Sequence, residues 1–250
     1  MQVGTEQKKP YKRMNIKKVI VTVCVIFVLI PCLIALGMTV WDDKKYYLVS
    51  LGVMILSVLP LLIRFEKSGQ KAREVALLSV MTALCVASRA AFYMIPQFKP
   101  TAAIIIISGV FFGAEAGFTV GACTALVSNF FFGQGPWTPW QMFAFGVVGF
   151  LAGVLFSKKG DKNPVLLLCI FGGISVMFIY GIIMDTASLL LMSSHPTLEG
   201  LFTVYATGLP FNAAHAVSTV IFLLLLSKPF LKKLCRIRNK FGIAEHVGEQ

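Results

Sequence analysis

Apolar residues fall along this chain in runs of about 20, the length that crosses roughly 30 Å of hydrocarbon at 1.5 Å per residue. The first two runs, Val19 to Val40 and Tyr46 to Ile63, are separated by a very short turn and predict a transmembrane hairpin. The first is long for the apolar core of a signal peptide, lacks a small-x-small exit and is followed by Trp41-Asp42-Asp43, so it is read as an uncleaved span. A polar, basic linker, 64–73, leads to a third span from Glu74 to Ile95, closed by Pro96-Gln97-Phe98-Lys99-Pro100, whose prolines turn their neighbours away from helix. Short span four (Thr101 to Phe112) ends at the turn Gly113 to Gly117, and span five runs on to Phe132. After the break 133–139, the pattern predicts span six from Trp140 to Phe156, span seven from Pro164 to about Leu191, and span eight from Pro210 to just before Pro229. Residues 192–209 mix polar and apolar types and are expected to form a partly structured outer loop.

Composition agrees with this pattern: 57% of residues are hydrophobic, 14% are charged, and the mean hydropathy is +0.80. The fold class expected is an all-α integral membrane protein. Lys and Arg number 23 against 11 Asp and Glu, a net charge of +12 that in a soluble protein would suggest nucleic acid. Placed on the eight spans, six basic residues precede Val19, four lie in the linker, three at 158–162 and six after the last span, so nineteen share one side. The positive-inside rule makes that side, with both termini, cytoplasmic. The charge excess is an orientation signal, and nucleic acid drops out as a partner.

Polar side chains inside a bilayer are costly and mark sites or helix contacts. Helical rise puts Arg89, Asn129, Asp185, Asn212 and His215 in the outer leaflet. With Tyr93, Gln134, Trp137, Trp140 and Gln141 they are expected to line an outward-facing pocket with aromatic walls and a few polar anchors. Each has a plainer reading: Arg89 and Asp185 neutralising each other, the tryptophans forming an interfacial belt, Asn129 bonding a neighbouring helix, His215 packing in place. Their convergence is what favours a pocket.

Small residues form a second pattern. Ala83, Ala87 and Ala91 recur every fourth position on one face of the third span, open either to a helix of this chain or to another protein. Gly109/Gly113, Gly117/Gly121 and Gly149/Gly153 repeat the spacing and are read as internal packing. The six cysteines stand singly and the three histidines are scattered, so no metal or other cofactor is expected. With no nucleophile motif, no HExxH and no phosphate-binding loop, the chain is not expected to be an enzyme. A carrier without its own ATPase uses a gradient or borrows a motor, and a single clear buried carboxylate, Asp185, favours the borrowed motor.

Residues 74–234 resemble the substrate-binding S components of energy-coupling factor (ECF) vitamin transporters. The likeness is carried by the Ala83-x3-Ala87-x3-Ala91 stripe, the turn Phe112-Gly113-Ala114-Glu115-Ala116-Gly117, the run Gly146 to Gly153, and the helix opening Leu209-Pro210-Phe211-Asn212-Ala213-Ala214-His215-Ala216. The resemblance implies a six-helix core that captures a vitamin or its precursor from outside. It further implies that the alanine stripe docks on a transmembrane T component carrying two ATPase subunits, and that loops 96–100, 133–139 and 192–209 help hold the ligand. Phe132 to Gln141 is similar to a subgroup linked to cobalamin or related corrinoids. Metal-specific relatives begin Met-His outside, whereas this chain starts Met1-Gln2 and is read as starting inside, which argues against nickel and cobalt. The expected organisation is a basic tail (1–18), an extra hairpin (19–63), the linker (64–73), the six-helix core (74–234) and a cytoplasmic tail (235–250). The competing readings are a small membrane enzyme acting on lipid and a gradient-driven carrier.

Overall fold

The computed structural model describes residues 21, 23–40, 48–49, 51–56, 59, 71–159, 162–193 and 197–241, so the predicted basic tail and most of the linker lie outside the described residues. Among them every regular element is helical. A π-helical turn, Val25–Leu29, runs into α1 (Ile30–Val40), and a short helix α2 (51–56) packs on it where Gly52 meets Leu33. The core then follows as α3 (Lys71–Ala91), α4 (Thr101–Phe112), α5 (Ala114–Phe132), α6 (Thr138–Phe156), α7 (Val165–Met192) and α8 (Leu198–Phe241). The hairpin leans on this core through the edge-on contact of Phe27 with Phe150 of α6, centroids 5.7 Å apart. By length and composition α3, α6, α7 and α8 can each cross a membrane.

Helix α4 sits at the centre, against α3, α5, α6 and α8. Its sequence, TAAIIIISGVFF, has no polar face, and all twelve residues are buried. At 1.5 Å per residue it is only about 18 Å long, well short of a hydrocarbon core. Gly113 ends it: its N–H bonds the Gly109 carbonyl at 2.9 Å, and its φ of 96° lies in the left-handed region open to glycine, so the chain reverses at once into α5.

The paired glycines explain how α4, α5 and α6 come so close. A Cβ at Gly109 or Gly117 would run into the Gly149 carbonyl oxygen, one at Gly149 into the Gly117 carbonyl, and one at Gly153 into the backbone of Ala114. The glycine repeats are thus an internal seam where three backbones touch, which maximises dispersion contact where lipid gives no hydrophobic driving force.

Three helices depart from the pattern read along the chain. Helix α3 runs Lys71–Ala91, so it takes in the end of the predicted linker and stops four residues short of Ile95. Helix α6 begins at Thr138, two residues before Trp140, because Pro139 occupies the first turn, where a missing N–H costs nothing. Helix α8 begins at Leu198, so the expected loop 192–209 is mostly helix, and both Pro210 and Pro229 lie inside it. Thr197 caps its start by accepting the Gly200 N–H at 3.1 Å, and Glu199 in the first turn complements the helix dipole. The hydroxyls of Tyr205 and Thr186, 3.0 Å apart, and the bond from Asn212 to Asp185 hold this early part to α7 and offset the backbone bond that Pro210 removes. Beyond Pro229, buried Leu231 and Leu234 and the stacking of Arg238 over Phe111 at 5.4 Å continue the helix along α4.

The seam makes a direct prediction. Gly149→Val should lower stability by about 1–3 kcal/mol by forcing backbones apart, while Gly173→Ala, which meets only a methyl of Val220, should stay within about 0.5 kcal/mol of the parent. Reversible unfolding in mixed detergent micelles measures both.

Candidate functional site

Helical rise sets the depth of the site. Asn129 stands 15 residues after Ala114, Gln141 stands 15 before Phe156, and Tyr180 stands 15 after Val165. Each is therefore about 22 Å from the end of the bundle where Gly113 turns, at one common level near the opposite end.

At that level the polar side chains form a chain of contacts through five helices. Arg89 of α3 donates from one terminal nitrogen to Ser128 Oγ at 2.5 Å and Asn129 Oδ1 at 2.8 Å, and its guanidinium lies 5.4 Å over the Phe132 ring of α5. Asn129, 1% exposed, donates through Nδ2 to Thr138 Oγ1 (3.1 Å) and Gln141 Oε1 (2.8 Å) of α6. Gln141 Nε2 donates to the Tyr180 hydroxyl of α7 at 3.3 Å. The Tyr180 ring meets His215 of α8 edge-on, centroids 4.9 Å apart, with Phe145 closing the third side. His215 is buried and its Nδ1 has no partner among the described residues.

Local structure explains these positions. Tyr180 ends a π-helical stretch, Ser175–Tyr180, inside α7; such insertions shift the register of side chains and recur at functional sites. Thr138 is held at the start of α6, where it accepts the Gly135 N–H at 3.3 Å and donates to Gln134 Oε1 at 2.8 Å, while Gln134 Nε2 bonds the Leu126 carbonyl. The segment 92–100 descends from α3 to the start of short α4. Phe92, Phe98 and Phe222 of α8 pack there as an aromatic triad, and the Lys99 carbonyl accepts from Ser218 at 3.1 Å. Burial pushes the Lys99 ammonium below its ordinary pKa, and nearby Arg89 acts in the same direction.

Of the residues expected to line a pocket, the structure gathers Arg89, Asn129, Gln134, Gln141 and His215 into this network. Asp185 and Asn212 form a separate pair between α7 and α8, bonded at 2.7 Å, so Arg89 and Asp185 do not neutralise each other. That pair is tight: a side chain at Gly208 would strike Asp185, and one at Gly181 would strike Asn212. Tyr93 is exposed and stacks on Phe132 at 5.0 Å, Trp137 is exposed over Gly135, and Trp140 is half-buried against the apolar core, all three outside the hydrogen-bonded chain. Sequence reasoning passes over Tyr180 and Ser128, and reaches Thr138 and Lys99 only as members of loops 133–139 and 96–100. Tyr180 lies in an unbroken apolar run, but Ser128 adjoins Asn129, and Thr138 before Pro139 is a recognisable helix start.

Asn129 is the junction of the chain, supplying one acceptor and two donors. Asn129→Leu should cost about 3 kcal/mol, near 1 kcal/mol for each bond lost. Adding Arg89→Met should recover part of that loss, because no buried cation is then left without its acceptor; a double-mutant cycle in detergent unfolding reads the coupling.

The alanine stripe lies elsewhere. Ala83, Ala87 and Ala91 are exposed, on the side of α3 turned away from its buried residues Leu78, Met81 and Cys85. No solved structure matches the chain. The family described as the ECF-type riboflavin transporter S component matches residues 69–232, which takes in nearly all of α3 to α8. The members of that family are transporter subunits and not enzymes, and they work in association with a T component and ATPases. With that match over about two thirds of its length, on a bundle of apolar helices, the chain belongs to the ECF S components, the vitamin-transporting membrane subunits of these importers.

Proposed function

We propose that this subunit captures a vitamin or vitamin precursor from outside the cell membrane, with both termini cytoplasmic, and delivers it inward as partner ATPases hydrolyse ATP. The observation that carries this reading is the polar chain from Arg89 to His215, which draws on five helices at one level near one end of the bundle. Charge supports the orientation: the basic residues cluster toward the opposite end, at 158–162 and after Pro229. The binding residues proposed are Arg89, Asn129, Gln141 and His215, with Tyr93, Gln134, Trp137, Trp140, Asp185 and Asn212 around them. Residues 74–234 act as the binding core, flanked by the linker and tails, and the hairpin 19–63 adds an anchor.

Two ligand classes have support. The family description names riboflavin, and exposed Tyr93 stacked on Phe132, with exposed Trp137 nearby in sequence, offers flat faces suited to a planar ring. The likeness of 132–141 to the corrinoid-linked subgroup supports a corrinoid. We favour the flavin, because the family description and the exposed aromatic faces support the same ligand class.

Docking is assigned to Ala83, Ala87 and Ala91, where small exposed side chains let a foreign helix approach closely. Ala87→Trp should cut co-purification with the T component and the two ATPases at least tenfold while leaving ligand affinity and thermal midpoint unchanged. Unimpaired assembly in that variant would move the docking face elsewhere. Uptake by the protein alone, insensitive to loss of the ATPases, would replace the whole reading with a gradient-driven carrier.

A further inference from the structure

Charge at the candidate site does not balance. Arg89 bonds only to neutral acceptors, and the Lys99 ammonium has no partner among the described residues. None of the carboxylates among those residues bonds either cation: Asp185 accepts from the amide of Asn212, Glu74 and Glu115 lie at the other end of their helices, and Glu199 is 16 residues before His215 along α8. A cation held partly out of water, as Arg89 and Lys99 both are, ordinarily has a counter-charge, since its desolvation is otherwise uncompensated.

Two further groups belong to the same region, the first turn of α4 and His215. The contacts close a circuit: Arg89 to Asn129, Gln141, Tyr180 and His215, then one turn along α8 to Ser218, whose hydroxyl bonds the Lys99 carbonyl. Ser88, next to Arg89, completes it at Thr101, hydroxyls 3.2 Å apart. The start of α4 is part of the circuit, through Lys99 and Thr101. It has no side-chain cap, so the N–H groups of its first turn and the positive end of its dipole point toward the level of the site. His215, 5% exposed, adds a ring nitrogen without a partner.

We infer that the ligand of this site carries an anionic group, a carboxylate or a phosphate ester, received by Arg89, Lys99 and the first turn of α4 with His215 Nδ1–H as a further donor. The inference rests on the vitamin-binding reading and narrows it: neutral riboflavin would leave both cations uncompensated, whereas a flavin phosphate or another acidic vitamin supplies the missing charge. The same chemistry is offered by the phosphate of a lipid headgroup, and the experiment separates the two.

The test uses the full chain in nanodiscs of phosphatidylcholine. Thermal midpoints and binding titrations are measured with matched acidic and neutral compounds: riboflavin 5′-phosphate with riboflavin, pantothenate with pantothenol, nicotinate with nicotinamide. The acidic member of one pair should bind at least tenfold more tightly than its neutral partner. Lys99→Gln should erase about tenfold of that preference. This variant keeps the fold even where Arg89→Gln fails, because the Lys99 carbonyl, not its side chain, makes the bond to Ser218. A neutral compound that binds as tightly as its acid, or a preference indifferent to Lys99→Gln, overturns the anion assignment and leaves the vitamin-binding reading standing. If no solute binds but phosphatidylglycerol in the disc raises the midpoint of the parent and not of Lys99→Gln, the anion site is a lipid site and the vitamin reading falls. If nothing shifts, both fall.

Discussion

A helix of twelve residues cannot cross a bilayer, and the architecture of the core follows from that shortfall at α4. Its neighbours are longer, so the segment 92–100 must come down between them to meet it, and the space beyond its first residue has to be filled by side chains from the surrounding helices. Such a helix is tolerable in hydrocarbon only if fully enclosed, because its unbonded terminal N–H groups have no water to turn to. Enclosure is what the glycines supply. By removing Cβ atoms where α4, α5 and α6 meet, they bring three backbones into contact and wrap the short helix.

The level above α4 is where the polar groups collect, and their arrangement is costly as well as cohesive. A guanidinium held mostly by an amide and a hydroxyl is solvated by dipoles and by the face of Phe132, without a carboxylate. Hydrogen bonds to a charged group are worth more than neutral ones, which keeps the network ordered, yet they do not cancel the charge. A binding subunit benefits from that imbalance, since a ligand that completes it gains affinity from groups already fixed in place. The π-helical stretch of α7 contributes by turning Tyr180 inward to join α6 and α8.

Much of this was legible in the order of residues. The spans, the break at Gly113 and the limits of α4 follow from hydropathy and from glycine chemistry, and Arg89, Asn129 and His215 are conspicuous because polar groups are rare inside apolar helices. The start of α8 was misjudged, because Pro210 reads as a helix opening when the bonds of Asn212 and Tyr205 to α7 are not known. The cap at Thr197 was a local signal overlooked. Tyr180 carried no such signal: a tyrosine in an apolar run looks the same whether it packs, faces lipid or bonds Gln141.

Sequence alone determined that the chain is a bundle of apolar helices and where most of them break, because hydropathy and helix-breaking residues act locally and are read one residue at a time. Only the tertiary structure decided partners: that the glycines serve one internal seam while the alanines stay exposed, that Asp185 turns to Asn212 and leaves Arg89 to Asn129, and that His215 packs on Tyr180 and Phe145. Those choices depend on how helices distant in sequence are rotated and set in height against one another, which no local pattern encodes.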